Sequence, residues 1–316
     1  MKPDVFAVVM ATGIVSIAAA DHESVLISDV LAVLAAVGLP ALLVTASIVW
    51  SRRRPDVTDP DVTVRLFTFV AACAVLDSRV TANPVVLWVL SALALIAWML
   101  LVVLLTRNFV AWSWTDLQQR ACGAWELASV GTSGLVIVGV LLARHTGWQV
   151  VLVVSAAVWL LAILTYAMMT ALILGRAFAA RLDPEGFEPD AWILMGGLAI
   201  ATLAGDHLHR AGIDEMRMAT VVTWVLATAW LLPLSIFGLR HIRRAEARRF
   251  AGVWWAMVFP LGMYSAATFA TANETGWSGL RTISLAFFWI AFAAWMTVTV
   301  AAALRLIAYA REHGRR

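Results

Sequence analysis

Long hydrophobic segments separated by short polar connections run along the whole chain. Ten such segments are predicted, at about 5–20, 28–50, 64–80, 85–105, 124–142, 148–174, 191–205, 218–239, 251–270 and 281–307. Segments such as 85–105 are long enough to cross a hydrocarbon layer of roughly 30 Å as helices. The segments lack the period-two alternation that is typical of membrane β-barrel strands. The pattern therefore predicts an all-α integral membrane protein of ten transmembrane helices, with residues 1–316 forming a single transmembrane domain.

Composition supports this class and excludes a soluble domain. The chain is 62% hydrophobic and 14% charged, whereas soluble domains average about 25% charged residues. The first segment, 5–20, resembles a signal peptide in length but lacks a convincing cleavage site, so it is interpreted as a spanning helix. The loops at 51–63 and 175–190 are too short to fold alone.

The distribution of cationic residues predicts the orientation. With the N-terminus in the cytoplasm, the far side receives Arg79, Arg144, Arg210, Arg217 and Arg281, and the cytoplasmic side receives the other 18 of the 23 Lys and Arg residues. Cationic loops are retained in the cytoplasm during insertion. We therefore expect a multi-pass protein of the plasma or inner membrane with both termini in the cytoplasm. Topology explains the basic loops, so nucleic acid is not expected as a partner.

Odd-numbered and even-numbered segments differ in character. Even segments are long and rich in Leu, Val and Ile, whereas odd segments are rich in small or hydroxylated residues; the third, with Phe67 and Phe69, fits this least well. The odd segments recur roughly every 55–70 residues, which indicates a helical hairpin repeated five times. The hypothesis is an inner ring of five odd helices around a central pore, enclosed by the even helices. The alternative is that small residues merely allow close helix packing.

Hydroxyl groups are the main polar groups inside the predicted spans. The candidate pore-lining residues are Thr12, Ser16, Ser129, Thr132, Ser133, Thr202, Ser265 and Thr268. Hydroxyls can replace part of an anion's hydration without binding it tightly. The alternative for each is a hydrogen bond to the carbonyl one turn back in its own helix. A carboxylate relay at depth, as in a proton-driven pump, is not predicted.

Pro260 interrupts the ninth segment beside Phe259. Proline removes a backbone donor and clashes with the preceding turn, so a kink is expected near Phe259. Such a kink can direct an aromatic ring to the central axis, which makes Phe259 and Pro260 a candidate hydrophobic gate. The alternative is that Phe259 is an ordinary packing residue.

Catalytic and cofactor chemistry is not indicated. Asp206, His207 and His209 crowd the end of the seventh segment, where a metal site is possible but a solvated loop is the simpler interpretation. Cys73 and Cys122 form neither a disulfide framework nor a metal motif. No P-loop, dinucleotide fingerprint or hydrolase motif occurs. We therefore expect no enzyme, no metal and no cofactor.

Two motifs resemble a known family. FAVVMATGIVSIA at 6–18 and FPLGMYSAATFA at 259–270 are similar to the tellurite-resistance/C4-dicarboxylate transporter family, which includes plant slow anion channels and yeast malate permeases. The resemblance implies five hairpins around a pore, a homotrimer with one pore per subunit, and a phenylalanine on the ninth helix, matched by Phe259, that blocks the pore. No pore residue of the third segment matches a motif.

The expected function is transport of small anions across the lipid bilayer, with C4-dicarboxylates such as malate implied by the resemblance. An inorganic anion channel for chloride or nitrate and a tellurite-resistance efflux protein remain as alternatives.

Overall fold

The structure is a computed structural model that describes residues 2–80, 83–179, 189–242 and 254–313. These residues form mainly helices. They are α1 (Ala7–Asp21), α2 (Val25–Arg52), α3 (Pro60–Arg79), α4 (Pro84–Ala111), α5 (Trp114–Arg120), α6 (Leu127–Thr146), α7 (Gln149–Ala179), α8 (Ile193–Arg210), α9 (Met216–Ile242), α10 (Trp255–Thr275) and α11 (Ser278–His313). Short 3-10 turns, Gly123–Glu126 and Pro189–Trp192, lead into α6 and α8. The all-helical prediction is confirmed.

Seven helices among the described residues are long and apolar enough to cross a membrane: α2, α4, α6, α7, α8, α9 and α11. The other three predicted spans correspond to α1, α3 and α10. Helix α1 has 15 residues, or about 22 Å of rise, and α3 carries Asp61, Arg65 and Asp77. The chain is therefore a multi-pass helical membrane protein by these seven helices, and the full count of ten remains a prediction.

Several helices differ from the predicted segments. The short helix α5 lies between the fourth and fifth predicted segments, where the sequence predicts no element. Helix α8 runs five residues beyond the predicted end at 205 and finishes at Arg210. The predicted ninth segment begins at 251, outside the described residues, and α10 starts at Trp255 with Pro260 inside it.

Burial divides the long helices into two sets. In α6 and α8, with their leading turns, 83% and 78% of the most apolar window is buried, against 17% in α2 and 33% in α4. Helix α10 likewise buries 15 of its 21 residues. We call α1, α3, α6, α8 and α10 the inner helices and α2, α4, α7, α9 and α11 the outer helices. The contrast between small-residue and Leu-rich segments therefore corresponds to a contrast in burial.

The inner helices contact one another in a closed order, α1 to α3, α3 to α6, α6 to α8, α8 to α10, and α10 back to α1. Glycines lie at these contacts. A Cβ atom on Gly13 would lie 2.5 Å from Cγ1 of Val75, and one on Gly131 would lie 2.8 Å from Cδ1 of Phe67. Because glycine has no side chain, the helices approach each other more closely at these positions than a larger residue would allow.

Each inner helix also packs against the outer helix that follows it in the chain. Between α1 and α2, Ser16 donates to the carbonyl of Ser28 at 2.7 Å and Ser28 donates to that of Ser16 at 2.8 Å. Ser265 and Ser284 form the same reciprocal pair between α10 and α11, with both bonds at 2.7 Å. Two reciprocal bonds fix the register of each helix pair without exposing a polar group to lipid.

Candidate functional site

A small pocket lies where the N-terminal ends of all five inner helices meet. Its lining residues are Asp4, Ala7, Met10, Arg65, Thr68, Ala124, Leu127, Asp190, Ile193 and Ala256. Its volume is about 10 Å³, which is room for roughly one water molecule. The inner helices therefore converge on a narrow pocket that carries charged side chains.

Arg65 carries the positive charge of this central pocket. Its Nη1 lies 3.4 Å from Oδ2 of Asp4, and its Nη2 lies 3.9 Å from Oδ2 of Asp190. The side chain of Asp190 is only 2% exposed, whereas those of Arg65 and Asp4 are 24% and 20% exposed. The same Oδ2 of Asp190 accepts a hydrogen bond from the backbone N–H of Ala124 at 3.2 Å. A cation and a backbone donor therefore converge on one buried carboxylate.

Cys122 adds a neutral neighbour to this group. Its Sγ lies 3.9 Å from Nη2 of Arg65. Burial, and to a smaller degree the carboxylate of Asp190, raises the pKa of the Cys122 thiol. The thiol therefore stays protonated at neutral pH and contributes no counter-charge to Arg65.

Phe259 is fully buried on α10, one turn deeper than the central pocket. Ala256, Phe259 and Met263 are spaced by three and four residues, so they share one face of the helix. Ala256 lines the pocket, so the face that carries Phe259 is the one turned to the meeting point of the inner helices. Phe259 therefore lies on the side of α10 that faces the pocket, and its role as a gate stays a prediction.

Pro260 lies against α8 rather than towards the pocket. A Cβ atom on Gly196 would lie 3.0 Å from Cγ and 3.1 Å from Cβ of Pro260. The proline ring leaves the carbonyl of Ala256 without its usual helical donor, yet α10 continues through this point from Trp255 to Thr275. Pro260 therefore sets the contact between α8 and α10 beside Phe259.

The four predicted threonines donate their hydroxyl protons along their own helices, at 2.7 or 2.8 Å. These bonds run from Thr12 to Val8, Thr132 to Ala128, Thr202 to Leu198 and Thr268 to Tyr264. Three of the same oxygens accept an indole N–H from an outer helix: Trp295 to Thr12 at 2.9 Å, Trp98 to Thr132 at 3.0 Å and Trp224 to Thr268 at 3.0 Å. These contacts match the packing alternative, and a pore-lining role for the threonines stays a prediction.

The predicted serines divide differently. Ser16 and Ser265 bond to outer helices as described above, and Ser129 donates towards Glu126, whose carbonyl and Oε2 both lie 2.8 Å from its hydroxyl. Ser133 is 1% exposed and its Oγ has no hydrogen-bond partner among the described residues. Among the predicted hydroxyls, that of Ser133 is therefore the one that neither donates nor accepts a hydrogen bond within the described residues.

A second charged cluster occupies the C-terminal ends of α8 and α10. Asp206 is 2% exposed and accepts from Nε of Arg210 at 3.0 Å, and Nδ1 of His209 lies 2.7 Å from Oε1 of Glu274. The expectation of a solvated loop at 206–209 is therefore wrong, because these residues belong to helix α8, and Asp206 and His209 are paired within the protein. Across the described residues, no group of three or more His, Cys, Asp or Glu side chains is arranged to hold a metal ion.

Sequence reasoning missed the central pocket and its charges. The charge distribution assigns Arg65 to the cytoplasmic cations that topology explains, and the predicted loop at 175–190 includes Asp190. The available signal was the position of Arg65 one residue inside the predicted segment 64–80, followed by residues 66–76 that are apolar except for Thr68. A charge at such a position usually marks a solute path or a partner.

These features define a multi-pass helical membrane protein with a charged pocket at one end of its buried helices. Residues 1–303 match the family of voltage-dependent anion channels, SLAC1, and the chain belongs to that family. The expected resemblance to the tellurite-resistance/C4-dicarboxylate transporters is thereby confirmed. Membership makes the protein a membrane anion transporter or channel.

Individual relatives are more distant. The chain is 28% identical over 160 residues to an uncharacterized membrane protein of Mycobacterium tuberculosis, covering 48% of this chain and 81% of that one. It is 22% identical over 184 residues to an uncharacterized transporter of Methanocaldococcus jannaschii, covering 56% of this chain and 54% of the transporter. The match to the transporter thus extends over about half of each chain.

Proposed function

We propose that this protein conducts small anions, with C4-dicarboxylates such as malate as substrates, along the axis of the five inner helices. In this proposal the ten long helices form five hairpins that cross the plasma or inner membrane, with both termini in the cytoplasm. The central pocket then opens towards the cytoplasm. The exposed apolar surfaces of the outer helices are available to lipid and to two further copies in a homotrimer, each copy with its own conduit.

One observation carries the proposal: Phe259 shares a helix face with Ala256, and Ala256 lines the pocket to which every inner helix contributes. An anion that leaves the pocket along the axis meets the Phe259 ring first. A buried aromatic ring excludes water from a narrow path and therefore blocks a hydrated ion. Phe259 thus acts as the gate, and Pro260 holds α10 against α8 beside it.

In this proposal Arg65 is the cation at which a passing anion binds. Its charge is offset by Asp4 and Asp190, so it attracts an anion to the cytoplasmic mouth when one of these carboxylates moves away. Ser133, with its uncommitted hydroxyl, remains the strongest candidate among the predicted hydroxyls for a contact with a passing anion.

A second candidate is a channel selective for chloride or nitrate. The observation that favours it is the small volume of the central pocket, about 10 Å³. A monatomic or planar inorganic anion requires less widening of the inner helices than a dicarboxylate does. The description of the family, voltage-dependent anion channel, does not name a particular anion.

Electrical recording from the purified protein in planar bilayers tests the proposal. Chloride, nitrate and malate are exchanged one at a time, and uptake of labelled malate into proteoliposomes is measured in parallel. Anion-selective current together with malate uptake supports the dicarboxylate assignment, and chloride current without malate uptake supports the second candidate. Cation-selective current, or no flux of any anion through well-folded protein, contradicts both.

A further inference from the structure

The carboxylate of Asp190 lies in the part of the central pocket that offers an anion both a cation and a backbone hydrogen-bond donor. Its Oδ2 faces the guanidinium of Arg65 at 3.9 Å and accepts the N–H of Ala124 at 3.2 Å. We propose that Asp190 is a tethered carboxylate that competes with the transported anion for this site. This inference rests on the proposed function and names how its cytoplasmic mouth is regulated.

The donors that hold Asp190 are those that select anions in general. A guanidinium is a permanent cation with donors in a planar fork that matches carboxylate and nitrate, and a backbone N–H adds a fixed donor without a counter-charge. The neutral thiol of Cys122, 3.9 Å from Arg65, does not compete for the cation. The site therefore suits a free carboxylate or nitrate through the planar fork, and a halide through charge alone, once Asp190 leaves it.

Backbone packing brings Asp190 to this position. A Cβ atom on Gly123 would overlap the backbone carbonyl of Asp190, so the two 3-10 turns that lead into α6 and α8 meet backbone to backbone at this glycine. This contact places the Asp190 carboxylate over the N–H of Ala124, the next residue along. The carboxylate is thus held by the geometry of the inner-helix ends and not by an exposed surface pair.

Available space makes the two anions mutually exclusive. The pocket has room for roughly one water molecule with Asp190 in place. A transported anion reaches the guanidinium of Arg65 only when the Asp190 carboxylate moves out. Asp4 also pairs with Arg65, at 3.4 Å, but it is more exposed and has no contact with Ala124 in the described structure. Asp4 therefore provides a matched carboxylate that pairs with Arg65 from the more exposed side of the pocket, where water screens its charge more strongly than that of Asp190.

The test compares Asp190→Asn with Asp4→Asn. Asparagine keeps an oxygen for the Ala124 N–H and removes the charge that repels an incoming anion. We expect Asp190→Asn to lower the half-saturating concentration of chloride and of malate about tenfold, as loss of a neighbouring like charge predicts. Asp4→Asn should change it by less than about threefold. Arg65→Gln should raise it about tenfold or more.

Two measurements separate this inference from the proposed function. The first is the anion concentration that raises the unfolding temperature of the purified protein, at an ionic strength held constant with a bulky anion that carries no carboxylate, such as HEPES. The second is the concentration dependence of flux in proteoliposomes. Anion-dependent stabilisation that shifts in Asp190→Asn, without flux in any variant, supports the site and contradicts the transport function.

The opposite result overturns the inference alone. If flux is present but Asp190→Asn leaves both half-saturating concentrations unchanged, or if Asp4→Asn lowers them equally, Asp190 is not a competitor. If Asp190→Asn does not fold, Asp190→Ser replaces it, because serine keeps an oxygen near the Ala124 N–H and withdraws from Arg65. The same shift is then required of the serine variant.

Discussion

Trp295 of α11 donates its indole N–H to the hydroxyl of Thr12 in α1 across 2.9 Å. This bond joins the last long helix to the first, 283 residues away in sequence. The Thr12 hydroxyl donates its own proton to the carbonyl of Val8 at 2.7 Å, so its oxygen is free to accept. Trp98 with Thr132 and Trp224 with Thr268 repeat the arrangement between other outer and inner helices.

Replacing Thr12 by valine tests the contribution of this bond. Valine has nearly the same shape but leaves the buried indole N–H of Trp295 without an acceptor. We expect the free energy of unfolding to fall by about 1–2 kcal/mol, the usual effect of a stranded buried donor, moderated in membranes. Thermal unfolding in detergent measures the change. Thr297→Val is the control, because Thr297 is exposed on α11 and bonds only within its own helix in the described structure; equal effects from both would refute the role of the bond.

Glycine at the contact of α3 with α6 is predicted to be required for close packing. In Gly131→Ala the new Cβ would lie 2.8 Å from Cδ1 and 3.2 Å from the backbone oxygen of Phe67. Such overpacking costs about 1–3 kcal/mol, so we expect a lower unfolding temperature. Gly279 on α11 has no atom within 4 Å of an added Cβ, and Gly279→Ala should be neutral or slightly stabilising. A Gly131→Ala protein as stable as the wild type would show that α3 and α6 are not closely packed there.

Removing the Phe259 ring should open the proposed conduit. We expect Phe259→Ala to increase anion flux in proteoliposomes at least severalfold, because the block is steric and apolar. Burial of Phe259 also means a loss of about 3–5 kcal/mol of stability, so the milder Phe259→Leu is measured beside it. Phe288 is equally buried but lies on the outer helix α11, and Phe288→Ala should leave flux unchanged. Unchanged or reduced flux in folded Phe259 variants would remove the gate assignment.

His22, in the turn between α1 and α2, predicts a pH dependence of stability. Its Nε2 lies 2.8 Å from Oγ of Ser284, and the rings of Phe269 and Phe288 lie beside it. Burial lowers the pKa of His22 below its ordinary value of 6.5, and the contact with Ser284 opposes this only in part. His22 therefore binds a proton more readily in the unfolded chain than in the folded one. The contribution of neutral His22 to the free energy of unfolding is fully present above about pH 6.5 and is lost as the pH falls below that value.

Unfolding temperatures measured from about pH 8 to about pH 5 test this for wild type and His22→Gln. Glutamine keeps a donor for Ser284 and cannot be protonated. We expect the variant to lose less stability than the wild type over the acidic half of the range. Parallel curves for the two proteins would assign the acid sensitivity to other groups.

The helical class, the family and the contrast between inner and outer helices were all predictable from the sequence. Small and hydroxylated residues recur in alternate segments, and those segments are the buried ones. Residue composition reports this because only small side chains allow close contact, as Gly13 against Val75 illustrates. The short helix α5 and the extension of α8 to Arg210 were not predictable, because neither is marked by hydrophobicity.

The direction in which each polar group points was the least predictable property. Thr12 and Ser16 lie on α1, whose pocket-facing side carries Met10. The sequence alone does not distinguish a hydroxyl that faces the axis from one that faces a tryptophan of an outer helix. The central pocket depends on Arg65 and Asp190, which are 125 residues apart in sequence. They meet because the turn before α6 packs against both α3 and the turn before α8. Local patterns cannot encode such a meeting.

The five inner helices all begin at the central pocket, so they run parallel and not antiparallel. Their peptide dipoles add instead of cancelling, with the positive ends gathered around Arg65. A conduit along this axis has a more positive electrostatic potential at its pocket end than at its other end, even without an applied voltage. Current carried by anions arriving from the pocket end should exceed the reverse current at equal and opposite potentials, and this rectification is a property of the helix arrangement rather than of any single side chain.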